Sequence, residues 1–184
     1  MLTVKQRGQF VATMRWVHVT LMETLAAWVP TTPEMEVKLL LGEHIWDIAQ
    51  HADSLGKRTF ELRMPLQHSL RPVDAYARLL AEIAGMAPTT QRLAAVYEVL
   101  LPGLEARYHR YLDTTDTLSD APTVRILERH LVDMQRMVGA ARDLCREFPA
   151  LRLNDQDWVE AMREREAGID PVVAPSGAAA AVET

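Results

Sequence analysis

Prolines divide the 184 residues into long segments whose apolar side chains recur at helical spacing. In the clearest of these segments, which Pro33 opens, one stripe runs from Val37 to Leu62 and includes two histidines. No segment alternates polar and apolar residues strictly enough for a β-strand. The sequence therefore predicts an all-α fold.

The same punctuation predicts where the helices begin and end. We expect long helices over about residues 3–28, 33–63, 89–112 and 122–148, and short ones over about 73–85 and 155–166. Pro102 and Gly103 predict a kink in the third long helix. The long connection over 64–88 allows the long helices to run up-down-down-up. Residues 1–166 should form one helical-bundle domain, and 167–184 a disordered tail.

Composition excludes several classes of protein. Cys145 is the single cysteine, so an intrachain disulfide and thiolate zinc sites are excluded, and a cytoplasmic location is the default expectation. The net charge of −5 does not suit a nucleic-acid partner. The apolar N-terminal segment contains Arg15, His18 and Glu23, which argues against a membrane span.

A short motif recurs in the second and fourth long helices. His44-x-x-Asp47 aligns with His130-x-x-Asp133, and Glu23 and Glu105 occupy roughly corresponding places in the preceding helices. Residues three apart share one helix face, so each histidine and aspartate can reach the same ion or share a hydrogen bond. The repeat therefore predicts a cluster of two imidazoles and four carboxylates between four helices.

This pattern resembles the ferritin-like di-iron carboxylate superfamily, over roughly residues 3–148. The family has a four-helix bundle with a long crossover, Glu on two helices and Glu-x-x-His on the other two. In this chain the histidine precedes the acid, and the acid is Asp. The resemblance implies mononuclear or dinuclear iron and oxidation of a small organic substrate. Its implied metal ligands are Glu23, His44, Asp47, Glu105, His130 and Asp133.

Further residues complete the expected site. His51 lies on the same stripe as His44, and we expect His44, His51 and His130 to be the catalytic residues. Arg58 continues that stripe and is expected to bind a substrate carboxylate. Trp46 is expected to wall the substrate cavity.

Two other functions remain open at this stage. The same histidine and aspartate pairs suit a metal-free acid/base catalyst, such as a cyclase, isomerase or dehydratase. Alternatively, the chain is a non-catalytic helical protein that forms a homodimer, and the histidines only contribute to its stability.

Overall fold

The computed structural model describes residues 2–175, which form helices and connections without strands and confirm the all-α class. The helices are α1 (Val4–Trp28), α2 (Met35–Glu61), α3 (Asp74–Ala84), α4 (Thr89–Ala94), α5 (Leu101–Thr114), α6 (Ala121–Glu147) and α7 (Gln156–Ala167). A π-helical segment, Ala95–Leu100, joins α4 to α5 in one continuous helix. None of the helices within the described residues has the length and apolar character to cross a membrane.

The first two helices form a hairpin whose ends follow from the local sequence. A capping box begins α1: Gln6 N–H donates to Thr3 Oγ1 at 3.2 Å, and Thr3 N–H donates to Gln6 Oε1 at 2.9 Å. Pro30 and Pro33 separate α1 from α2, since neither can continue a helix without losing a hydrogen bond. The two helices pack along each other through their buried stripes, which include Val11, Met14, Leu21, Leu25, Val37, Leu41, Ile48 and Leu55.

Pro102 changes the hydrogen bonding of the helix that precedes it. Because proline has no N–H, the carbonyl of Glu98 lacks its usual α-helical donor, and Arg163 Nε donates to it at 2.8 Å instead. The preceding segment takes π-helical hydrogen bonds, with Leu101 N–H donating to Val96 O. The irregularity expected at Pro102 and Gly103 therefore lies one turn earlier.

A buried charge network joins four helix ends. Asp120, directly before α6, has no exposed surface. It accepts hydrogen bonds from Arg58 Nη2 at 3.0 Å, Tyr111 Oη at 2.7 Å and Thr123 Oγ1 at 2.6 Å, and Arg7 Nε lies 3.9 Å from Oδ2. The start of α1 and the ends of α2 and α5 therefore meet the start of α6.

The position of this network shows in which direction each long helix runs. Helices α1 and α6 run away from it, whereas α2 and the continuous helix α4–α5 run toward it, so the order is up-down-down-up. At the opposite end, Trp28 Nε1 donates to Ala84 O at 3.0 Å, and Thr89 Oγ1 donates to Glu34 Oε2 at 2.9 Å. The connection that carries α3 therefore spans the length of the bundle.

A second buried ion pair attaches α7 to the bundle. Arg107 Nη1 on α5 donates to Glu166 Oε1 at 2.6 Å, and Tyr76 Oη on α3 donates to the same oxygen at 3.0 Å. Gly103 makes room for this carboxylate, since a Cβ at that position would lie 2.3 Å from it. The pair thus connects three helices.

The ordered chain continues past the end of α7, which corrects the expectation of a disordered tail from residue 167. Val172 is buried, and its carbonyl accepts a hydrogen bond from Val73 N at 2.9 Å. Ile169 O accepts from Arg107 Nη2 at 3.0 Å. Residue 167 is the last of α7, and these contacts hold Ile169 and Val172 against the bundle. Residues 176–184, which also belong to the predicted tail, lie outside the described residues.

Replacement of Asp120 by Asn should lower the free energy of unfolding by about 3–5 kcal/mol, because buried Arg7 loses its counter-charge and buried Arg58 keeps only Glu61, whose side chain is 56% exposed. Chemical denaturation followed by circular dichroism measures this change. The control is Asp143→Asn, which removes an exposed pair with Arg146 and should cost less than about 1 kcal/mol. Equal losses in the two variants would contradict a stabilising role for the network.

Candidate metal centre

Three buried histidines from three helices meet inside the bundle. His18 on α1, His51 on α2 and His130 on α6 are 0%, 2% and 2% exposed. One ring nitrogen of each lies within 4.8 Å of a ring nitrogen of the other two. The His51 and His130 rings stack with centroids 3.9 Å apart, and His18 meets them edge-on at 5.2 and 5.7 Å. We refer to these three residues as the histidine cluster.

In each ring of the histidine cluster, Nε2 makes a hydrogen bond with one polar side chain. The pairs are His18 with Tyr108 Oη at 2.7 Å, His51 with Asp133 Oδ2 at 3.2 Å, and His130 with Ser54 Oγ at 2.9 Å. Because Tyr108 lies on α5, all four long helices contribute to this region. The three Nδ1 atoms are buried and have no hydrogen-bond partner among the described residues.

The partners determine the tautomers of two rings. A carboxylate only accepts hydrogen bonds, so His51 donates its Nε2–H to Asp133. Ser54 donates its single hydroxyl hydrogen to His51 O at 2.9 Å, so His130 must donate its Nε2–H to Ser54 Oγ. When these rings are neutral, their Nδ1 atoms therefore carry bare lone pairs in the interior. An unsatisfied buried acceptor costs about 1–3 kcal/mol.

Burial keeps the rings of the cluster neutral. It is the main cause that lowers the pKa of His18 and His130, and the neighbouring His51 lowers both further. The pKa of His51 is also lowered by burial, although its hydrogen bond to Asp133 opposes this. Neutral imidazole is the form that binds metal ions.

His44 lies outside the histidine cluster. It is seven residues before His51 on α2, which corresponds to a rise of about 10 Å. Its Nδ1 lies 2.7 Å from Tyr97 Oη, while its Nε2 is buried without a partner among the described residues. Burial lowers the pKa of His44 to about 4. The structure thus places His51, rather than His44, beside His130.

The two aspartates of the repeated motif meet an arginine. Arg136 Nη2 on α6 lies 2.9 Å from Asp47 Oδ2 and 3.4 Å from Asp133 Oδ1. Asp133 also holds His51, as described above, whereas Asp47 makes no hydrogen bond to a histidine among the described residues. The repeat therefore brings its acids together, but at an exposed arginine.

The two predicted glutamates lie away from the cluster. Glu23 is exposed on α1. Glu105 is partly exposed on α5, where it accepts a hydrogen bond from Gln135 Nε2 at 2.8 Å and lies 3.7 Å from His109 Nε2. Neither contacts a residue of the histidine cluster in the described part of the chain.

The residues expected to bind substrate have other surroundings. Arg58 is buried and donates to Asp120 at 3.0 Å and to Thr123 Oγ1 at 2.8 Å. Its guanidinium is therefore part of the buried charge network around Asp120. Trp46 is 67% exposed on the outer face of α2. Neither side chain lies in the histidine cluster.

His18, Ser54 and Tyr108 are the members of this region that the motif search missed. His18 carries a signal of its own, because it lies four residues after Met14 and three before Leu21, both on the buried stripe of α1. The partnership of Ser54 with a ring on another helix has no comparable signal, since it depends on how the helices pack.

The donor set fits a divalent transition-metal ion. Imidazole nitrogens suit zinc, copper, iron and nickel, and each of the three rings has a hydrogen-bonded Nε2 and an Nδ1 without a partner among the described residues. Asp133 accepts a hydrogen bond from His51, and a carboxylate in this position commonly orients a metal-bound histidine. His18, His51 and His130 are therefore the residues that can hold an ion.

Comparison of the sequence with models of protein families finds no match. Searches of curated proteins and of solved structures find no similar chain either.

Acidification should destabilise the protein between about pH 6.5 and pH 4. The unfolded chain protonates its histidines there, whereas burial lowers the pKa of His18, His44, His51 and His130 in the folded state. Each such ring lowers the free energy of unfolding by up to about 1.4 kcal/mol per pH unit. We expect a total loss of at least about 3 kcal/mol from pH 7 to pH 5, measured by urea denaturation.

The matched variants are His44→Gln, which removes one buried ring, and His109→Gln, which removes a histidine whose side chain is 57% exposed. His44→Gln should flatten the pH dependence, and His109→Gln should leave it unchanged. A free energy of unfolding that stays constant over this range would contradict burial of neutral rings.

Proposed function

We propose that this chain binds a divalent transition-metal ion through His18, His51 and His130, and that it is a metal-dependent oxidoreductase for a small organic substrate. Two observations carry the proposal: one ring nitrogen of each histidine lies within 4.8 Å of one ring nitrogen of the other two, and all three Nδ1 atoms are buried without a partner among the described residues. A bound cation would satisfy acceptors that no described side chain satisfies.

The arrangement of the helices supports a ferritin-like fold. The four long helices run up-down-down-up, and one long connection spans the bundle, as in ferritin-like proteins. Their metal ligands likewise project inward from the bundle helices. Here the inward donors are histidines from α1, α2 and α6, in place of the carboxylates that the sequence motif implies.

Iron is our first choice of metal, on the strength of the resemblance to ferritin-like proteins. One group of three nitrogens suits a mononuclear ion better than a dinuclear one. Bound iron would supply the activation of dioxygen. The residues of the chain would hold the ion, orient His51 through Asp133 and exclude water, because the three rings are at most 2% exposed.

The depth of the cluster favours a bound metal ion over metal-free acid/base catalysis at the same rings. The hydrogen bond between His51 and Asp133 is the observation that favours the alternative, since it would orient a general base. A general base must contact the proton it removes, however, and the cluster residues are almost fully buried. Dioxygen is small enough to reach a buried ion, so the depth of the cluster suits metal binding and the reaction of the ion with dioxygen, whereas the organic substrate is proposed from the resemblance alone.

Metal binding is tested with purified, chelator-treated protein titrated with Fe(II) under anaerobic conditions, and with Co(II) and Zn(II). We expect one ion per chain by elemental analysis and, at a free concentration of 100 times Kd, a free energy of unfolding raised by about 2.7 kcal/mol. His18→Gln, His51→Gln and His130→Gln should lose both effects.

His44→Gln is the matched control, because His44 is as buried as the cluster but lies outside it. Circular dichroism shows which variants fold. The metal site is refuted if the wild-type chain takes up no ion, or if the folded cluster variants take up as much as His44→Gln. Dioxygen uptake by the iron-loaded protein, with the zinc-loaded protein as the blank, then tests the oxidoreductase assignment.

Asp133 should increase metal affinity without touching the ion. Asp133→Asn removes the charge that orients His51 and should weaken binding by about 10–100-fold. Asp143→Asn, on the same helix but exposed and paired with Arg146, should leave the Kd unchanged. Equal affinities for both variants would contradict the role of Asp133.

A homodimer remains a separate proposal. Three large apolar side chains, Met35, Leu39 and Trp46, are 61–68% exposed along α2 and would suit a contact with a second copy. Sedimentation equilibrium of the wild type and of Trp46→Ser measures whether the chain associates through this face.

A further inference from the structure

A cavity of about 440 Å³ lies apart from the histidine cluster, between the π-helical segment, the end of α6 and the connection to α7. Its volume is within the usual range for small-molecule sites. Apolar side chains that include Leu93, Val138, Ala141 and Leu151 form part of its wall. Tyr97 also lines it and is held by His44, so this part of the wall has a fixed position.

The charged residues of the lining are mostly positive. Among the described residues that line the cavity are four arginines, Arg142, Arg146, Arg152 and Arg163, and one acidic residue, Glu98. Arg146 is paired with Asp143, and Arg163 with Glu98 and Glu160.

Two of these arginines are exposed to solvent and make no ion pair within the described residues. The guanidinium groups of Arg142 and Arg152 have no hydrogen-bond or ion-pair partner within residues 2–175. They come from different segments, the C-terminal part of α6 and the connection that follows it. Guanidinium groups match carboxylate and phosphate geometrically, with two parallel hydrogen bonds to each. The cavity therefore combines an apolar wall with two free donors for an anion.

We propose that this cavity binds an amphiphilic organic anion. Its carboxylate or phosphate monoester group would pair with Arg142 and Arg152, and its alkyl or aryl body would lie against Val138, Ala141 and Leu151. The proposal does not rest on the metal centre, because His18, His51 and His130 do not line the cavity.

Cys145 provides a direct measure of occupancy. It is the single cysteine of the chain, and it lines the cavity. Burial raises the pKa of its thiol, so alkylation by iodoacetamide is best followed at about pH 8.5. A molecule seated in the cavity would slow this reaction.

The probes are octanoate and octyl phosphate, with octanol and octylammonium as neutral and cationic controls of the same chain length. We expect both anions to bind by calorimetry and to slow the alkylation of Cys145, and the two controls to do neither. The relative Kd of octanoate and octyl phosphate identifies the preferred head group.

The Arg142→Ala/Arg152→Ala double variant should weaken anion binding by roughly tenfold or more, because charge-assisted hydrogen bonds are lost. Arg125→Ala is the control, since Arg125 is exposed on the same helix but does not line the cavity. The proposal is overturned if neither anion binds, if octanol binds equally well, or if the double variant binds as tightly as Arg125→Ala.

Discussion

Burial of three imidazole rings constrains how the helices of this bundle can pack. An imidazole removed from water needs a hydrogen-bond partner, and apolar helix faces offer few. His18, His51 and His130 each find one polar partner, and these partners come from α5, α6 and α2 respectively. A rotation or axial shift of any long helix would separate a ring from its partner, so the cluster helps to define how the four helices pack.

Helix α2 shows how this constraint extends along the bundle. His44, His51 and Arg58 follow one another at seven-residue intervals on its buried face. Each meets a polar side chain from the second hairpin: Tyr97, Asp133 and Asp120, respectively. The core therefore contains polar layers at three heights, separated by apolar residues. Because the layers differ in chemistry, a two-turn shift of α2 would pair the wrong groups, which gives one register an advantage.

The helical period in the sequence predicts much of this fold but only part of the site. It places His44, His51, His130 and Arg58 on core-facing stripes, and all four are buried. Periodicity describes one helix at a time, however, and does not specify the axial offset between two hairpins. The repeated motif aligns His44 with His130, whereas the packing brings His51, two turns further along, to the level of His130. Glu23 is a different case, because the helical period itself places it off the apolar stripe that contains Leu21 and Leu25, and its side chain is exposed although the motif makes it a ligand.

The energetics of the cluster favour a functional explanation over a purely structural one. Replacing buried polar groups with apolar side chains of similar shape is often neutral or stabilising, so hydrogen-bonded histidines are not needed for stability. Left without any partner, two buried acceptors would cost about 1–3 kcal/mol each, a large fraction of the 5–15 kcal/mol that stabilises a typical domain. In His51 and His130, Asp133 and Ser54 hydrogen-bond to Nε2, and no described residue is a partner of Nδ1. An ion bound by these rings would use such lone pairs as ligands, so metal binding and folding would stabilise each other.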